Sequence, residues 1–162
     1  MIRYFTEDTT FRLNNKRLVS KWLKQVAQDR GHDVGFINYI FCSDPYLLDI
    51  NRRFLGHDYY TDIITFDNSE DYRLETGRPG VSADIYISVD TVRENGRTYG
   101  EGFEQELHRV IVHGLLHLTG CDDTTPWKQQ RMRAAENRAL KLYAAMQAEA
   151  AAAKAAAGKQ GA

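Results

Sequence analysis

Cysteine, net charge and long apolar runs are all scarce in this chain, and each scarcity removes a class of protein. Two cysteines in 162 residues, Cys42 and Cys121, form no disulfide framework. The formal net charge is −1, so no global basic field advertises a nucleic-acid partner, and any RNA contact must come from a local patch. The opening residues, Met1-Ile2-Arg3-Tyr4-Phe5-Thr6-Glu7-Asp8, lack the apolar core of a signal peptide. No segment approaches the roughly 20 apolar residues of a membrane span. The expectation is a cytoplasmic protein with no membrane partner, and there is no internal repeat. The remaining composition, 43% hydrophobic and 27% charged, is ordinary for a globular chain, and the length suits one domain with a real core.

Along the chain, strands dominate the first half and helices the second. A short strand is expected over 2–5. A helix capped by Asn14 or Asn15 runs to about Arg30, with Leu18, Trp22, Leu23 and Val26 as its apolar stripe. Residues 34–42 are rich in branched and aromatic side chains and read as a buried strand. Ser43-Asp44-Pro45 opens a second helix that buries Leu47, Leu48, Ile50 and Phe54 and ends near Gly56. Strands over 61–66 and 81–89, joined by a polar loop at 68–80, suggest a long antiparallel hairpin. Ser88 or Asp90 then caps a helix to roughly Tyr99, and Gly100 and Gly102 break the chain. A helix opened by Pro126 offers Trp127, Met132, Ala135, Leu140, Leu142 and Tyr143 to the core. The fold class expected is α+β, one small mixed sheet packed with helices around a buried helix. A single domain over 1–143 is followed by an Ala-rich, fraying extension over 144–162, to which no function is assigned.

The chemistry concentrates in His113-Gly114-Leu115-Leu116-His117-Leu118-Thr119-Gly120-Cys121-Asp122-Asp123. His113 and His117 are four apart in a helix that is apolar nearly all round, so both imidazoles leave one face, one above the other. Burying them is costly unless something takes their ring nitrogens. Gly120 suits a left-handed turn that ends the helix and returns Asp122 or Asp123 towards the histidines. Two imidazoles and a carboxylate resemble three ligands of a divalent metal, zinc foremost, with a fourth position left open as in a catalytic site. Cys121 is a competing ligand. The residue after the first histidine is Gly114, not the glutamate base of the common metalloproteases, which argues against peptide hydrolysis.

This run resembles the signature of the YbeY family of bacterial endoribonucleases, His-Gly-x-Leu-His-Leu-x-Gly-Tyr-Asp-His. Thr61-Asp62-Ile63-Ile64-Thr65-Phe66 resembles that family's Thr-Asp-Val-Leu-Ser-Phe strand, Ala83-Asp84-Ile85-Tyr86-Ile87-Ser88 its Gly-Asp-Ile-x-Ile-Ser strand, and Ile50-Asn51 its Leu-Asn pair. The resemblance implies a zinc-dependent α+β endoribonuclease with one Zn(2+) per chain. It further implies a role in 16S rRNA 3′-end maturation and ribosome quality control. The partners implied are small-subunit ribosomal RNA, with ribosomal proteins or assembly GTPases. His113, His117 and Asp123 are the expected metal ligands, His113, His117 and Asp122 the expected catalytic set, and Arg52 and Arg53 the expected RNA contacts. Two residues depart from the family pattern. Asp123 stands where the third ligand is usually His, and Leu55 stands where the family has an Arg facing the cleft. A non-catalytic ribosome-assembly factor with a structural metal, or another metal-dependent hydrolase, is the alternative.

Overall fold

The computed structural model describes Met1–Gln160; the last two residues of the Ala-rich extension, Gly161 and Ala162, lie outside the described residues. Four strands form one sheet: β1 (Ile2–Thr6), β2 (Val34–Cys42), β3 (Ile63–Asp67) and β4 (Val81–Ser88), in the order β1-β2-β4-β3. β1 and β4 both run parallel to β2, and β3 runs antiparallel to β4, as the hairpin reading expected. The fold is α+β with a mixed sheet.

Register decides which side of the sheet each residue serves. Ile37, Tyr39 and Phe41 of β2 pair with Ala83, Ile85 and Ile87 of β4, so these six share one face, and all are buried. That face receives α1 (Lys16–Asp29), α5 (Phe103–Leu118) and α6 (Pro126–Gln160), with α4 (Val89–Thr98) packed beside α5. Cys42 and Ile64 point to the other face, where α2 (Asp44–Leu55) covers them with Leu47 and Ile50. α5 is therefore enclosed, and Glu106–Val112 and Gly114–Leu116 are all buried. Two buried polar groups at this junction find backbone partners: the Tyr39 hydroxyl donates to the Ile111 carbonyl (2.8 Å) and the Trp22 indole to the Ala139 carbonyl (2.7 Å). His108 packs against both Trp22 and Tyr143, and burial lowers its pKa.

Several expectations change. Asn15 occupies the N-cap of α1, but in a left-handed conformation (φ 58°) with no side-chain cap bond. The expected loop at 68–80 contains α3 (Ser69–Thr76). Glu70 and Asp71 suit the positive end of that helix, Arg73 pairs with Glu70 one turn away, and Gly77 ends it. No residue of α3 is buried, so the sequence has no apolar period there to betray a helix. Phe54 and Trp127, both expected to pack inside, are each 68% exposed. At the end of α2 it is Asn51 that turns inward, its amide donating to the Tyr59 carbonyl (2.9 Å). Trp127 lies in the first turn of α6, and the inward residues of that helix begin only at Met132. α6 runs as one helix through the Ala-rich stretch to Gln160.

α4 and α5 approach closely because Gly96 has no side chain. A Cβ there would lie 2.7 Å from the Gly102 carbonyl oxygen and 2.8 Å from its carbon, backbone atoms that cannot swing away. Gly96→Ala is expected to destabilise the protein by about 1–3 kcal/mol through overpacking. The urea midpoint should fall with little change in slope; an unchanged midpoint would show that the two helices separate freely.

Candidate metal centre

The last turn of α5 brings the two imidazoles together. Their Nε2 atoms are 3.0 Å apart, and the rings meet edge to face. Gly120 follows at φ 99°, and the chain turns back so that Asp123 Oδ2 lies 3.6 Å from His113 Nε2 and 3.5 Å from His117 Nε2. Ligands held tetrahedrally at about 2.0–2.1 Å from a zinc ion are roughly 3.3 Å from one another. The three atoms therefore stand at the spacing one ion would need, and all lie within 4.8 Å of each other. The site opens to solvent on the side of His117 and Asp123, whose side chains are 34% and 40% exposed.

The other expected residues face elsewhere. Cys121, the competing ligand, points its sulfur at the guanidinium of Arg30 (Nη2, 3.1 Å). Asp122 gives its carboxylate to the turn: it accepts from the Asp123 and Thr124 amides (2.7 and 3.1 Å), the Thr124 hydroxyl (3.0 Å) and Lys128 Nζ (2.9 Å). Lys128 and Thr124 hold its pKa down to about 2. Among the described residues Asp122 makes no ion pair with either histidine, and its hydrogen bonds all close the turn. Arg52 and Arg53 are exposed on α2 and pair with Asp58 and Asp49, and Leu55 is also exposed.

The residue that sequence reasoning missed is Glu136, on α6. It is 5% exposed, and its Oε2 lies 2.7 Å from His113 Nδ1. Its other oxygen accepts from the buried Arg109 guanidinium (3.1 Å), which also reaches Glu101 and Asn137. With Nδ1 carrying the proton towards Glu136, His113 Nε2 presents a bare lone pair to Asp123 and His117, the tautomer a metal ligand needs. Burial pulls the His113 pKa down, but the hydrogen bond and charge of Glu136, with Asp123 and Asp62, outweigh it and leave the pKa raised. The pKa of Asp62, the residue just before β3, is itself raised, chiefly by burial. Gly114 allows α5 to settle on the sheet, since a Cβ there would press on Ile63 (3.1 Å) and Ile85 (3.2 Å).

Comparison with known proteins agrees with this architecture. The sequence profile of the family described as Endoribonuclease YbeY matches residues 2–144. A relative of that name from Parabacteroides distasonis is 46% identical over 141 residues, 87% of this chain and 94% of its own length. One from Phocaeicola vulgatus is 48% identical over 142 residues, covering 88% and 98%. A solution structure of a protein from Thermotoga maritima superposes with a TM-score of 0.59 at 26% identity, covering 88% of this chain and 89% of that one.

The raised His113 pKa gives metal binding and proton binding opposite signs. In the metal-free protein the Glu136 bond stabilises most below the unfolded histidine pKa and loses that contribution as pH rises through the folded one. Metal uptake must displace the competing proton, so affinity should climb with pH over the same range. Glu136→Gln should lower zinc affinity about 10–100-fold at pH 8. It should also move the midpoint of the pH dependence downwards, because the groups that raise His113 are weakened. Chelator competition from pH 5.5 to 8.5 reads both quantities, and unchanged curves would exclude Glu136 from the centre.

Proposed function

The chain belongs to the YbeY family of endoribonucleases, and from that premise we propose that it is a metal-dependent, single-strand-specific endoribonuclease. Its proposed roles are 16S rRNA 3′-end maturation and ribosome quality control, in the cytoplasm where ribosomes are built. The observation that carries this reading is the spacing of His113, His117 and Asp123 around one open position. We take these three as ligands of one zinc ion per chain. A divalent ion held there supplies Lewis acidity towards a phosphodiester oxygen and makes water more acidic.

The chain's own residues have distinct tasks in this scheme. His113 is held in register by Glu136, with Arg109 behind it balancing the buried carboxylate. His117 and Asp123 form the exposed rim where the scissile phosphate would approach. Asp123 also sets the charge: two neutral imidazoles and one carboxylate leave a divalent ion at +1, where three imidazoles would leave +2. Asp122 secures the turn that brings Asp123 back, a positioning part rather than the catalytic one expected. Arg52 and Arg53 are retained as RNA contacts on the α2 side, each needing to leave a carboxylate neighbour to grip a phosphate.

A second reading, a non-catalytic assembly factor that binds ribosomal RNA or a ribosomal protein, draws support from exposed Leu55 at the place of the family's arginine. Cleavage of a small-subunit rRNA precursor separates the two. Zinc-loaded protein should cut it, and His117→Ala should lose more than about 100-fold, roughly 2.7 kcal/mol of barrier. Asp123→His, which raises the charge of the site, should shift the pH–rate profile to lower pH. Equal cleavage by wild type and His117→Ala would sink the nuclease reading in favour of the scaffold. A 2′,3′-cyclic phosphate at the product end would identify the RNA's own 2′-hydroxyl as the attacking group.

A further inference from the structure

The metal-site turn has a second side. Gly120, Cys121 and Asp122 line a cavity of about 190 Å³ whose other walls are Arg30, at the end of α1, and Lys128, Arg131, Ala135 and Arg138 of α6. The α6 residues recur at intervals of three, four and three, so they lie on one face of the helix. Ala135 is buried and too small to fill the groove between its basic neighbours.

We propose that this cavity is an anion subsite that holds the sugar–phosphate backbone of single-stranded RNA next to the metal centre, a proposal resting on the nuclease reading above. Four cations converge there against one carboxylate, Asp122, in a chain whose net charge is −1. Asp122 is already matched to Lys128. Arg30, Arg131 and Arg138 form no ion pair with a carboxylate among the described residues, in contrast to Arg52, Arg53, Arg73 and Arg97. Asp29 shares the adjoining groove with Arg30 and Arg138, and it is bonded to Gln25 (2.8 Å). Arg30 is also fixed in place. Its Nε donates to the Thr119 hydroxyl (2.7 Å) and its Nη2 to Cys121 Sγ (3.1 Å), leaving Nη1 for a ligand. A guanidinium positioned in this way can donate from Nη1 to a phosphate oxygen.

Location selects the occupant. Asp122 lines the cavity and the next residue, Asp123, belongs to the metal triad. The proposal therefore places in this groove a phosphate neighbouring the one that reacts at the triad. Among the described residues no aromatic side chain lines it, so bases have no aromatic stacking platform there. Recognition is of backbone charge and tolerates sequence.

The test compares wild type with an Arg131→Ala/Arg138→Ala variant, both zinc-loaded, binding a 2′-O-methyl single-stranded oligonucleotide that resists cleavage. Fluorescence anisotropy is read from 50 to 300 mM salt. Both side chains are exposed on α6, and Arg30 is left alone because it braces the turn. Losing two phosphate contacts should reduce the slope of log affinity against log salt by about 1.4, at roughly 0.7 per phosphate for a single strand. Affinity at 50 mM salt should fall at least about tenfold, zinc content should hold, and Arg131→Lys/Arg138→Lys should restore most of the slope. Unchanged slope and affinity in the alanine variant overturn the subsite, as does a wild type that binds no oligonucleotide. Wild-type cleavage of the rRNA precursor with unchanged variant binding removes the subsite alone. Arginine-dependent binding without any cleavage removes the nuclease reading and leaves the subsite. A polyglutamate of equal charge that competes as well as the oligonucleotide would overturn RNA as the occupant in favour of an acidic protein.

Discussion

The bond between Glu136 and His113 is the constraint on which this structure turns. α5 is enclosed by the sheet, α1, α4 and α6, and it nonetheless carries titratable side chains on buried positions. Polar groups in such a place cost several kcal/mol unless they find partners. Glu136 gives one oxygen to the imidazole and the other to the buried Arg109. The same carboxylate thus ties α6 to α5, partners a buried cation and sets the tautomer of a candidate ligand. The arrangement is not free of cost, since Arg109 Nε and Glu106 Oε2 are buried without a hydrogen-bond partner among the described residues. Burial accordingly raises the Glu106 pKa.

From that anchor the site is assembled by very local means. One helical turn sets the separation of the two imidazoles, and one left-handed glycine returns the chain. The Asp122 carboxylate then closes the turn by accepting two successive amides. The product is a small set of nitrogen and oxygen atoms at mutual distances suited to one divalent ion, half open to solvent. The Asp at position 123 makes this set less positive than three histidines would be.

α6 serves two surfaces at once. Met132, Ala135, Glu136, Ala139 and Tyr143 turn inward, to the core and to His113. Lys128, Arg131 and Arg138 lie along the groove beside the turn, facing Arg30 across it. The inner side of this helix holds a candidate ligand in place, and its flank concentrates cations beside the candidate metal centre.

What the sequence determined by itself is whatever depends on near neighbours. The strand blocks, the Ser43-Asp44-Pro45 helix start, the stacked histidines and the glycine turn all follow from periods of two or 3.6 residues and from single-residue backbone preferences. The YbeY-like motif gathers the stacked histidines and the glycine turn in one short stretch, and the strand blocks at 61–66 and 83–88 carry the rest of the likeness. Only the tertiary structure decided the rest. Glu136 is 23 positions from His113 and Arg30 is 91 from Cys121, and no periodicity relates such pairs. The exposure of Phe54 and Trp127 and the helix within 68–80 escaped for a related reason. Residue type indicates what a side chain would gain from burial, but only the packing of one element on another decides whether a surface is there to bury it.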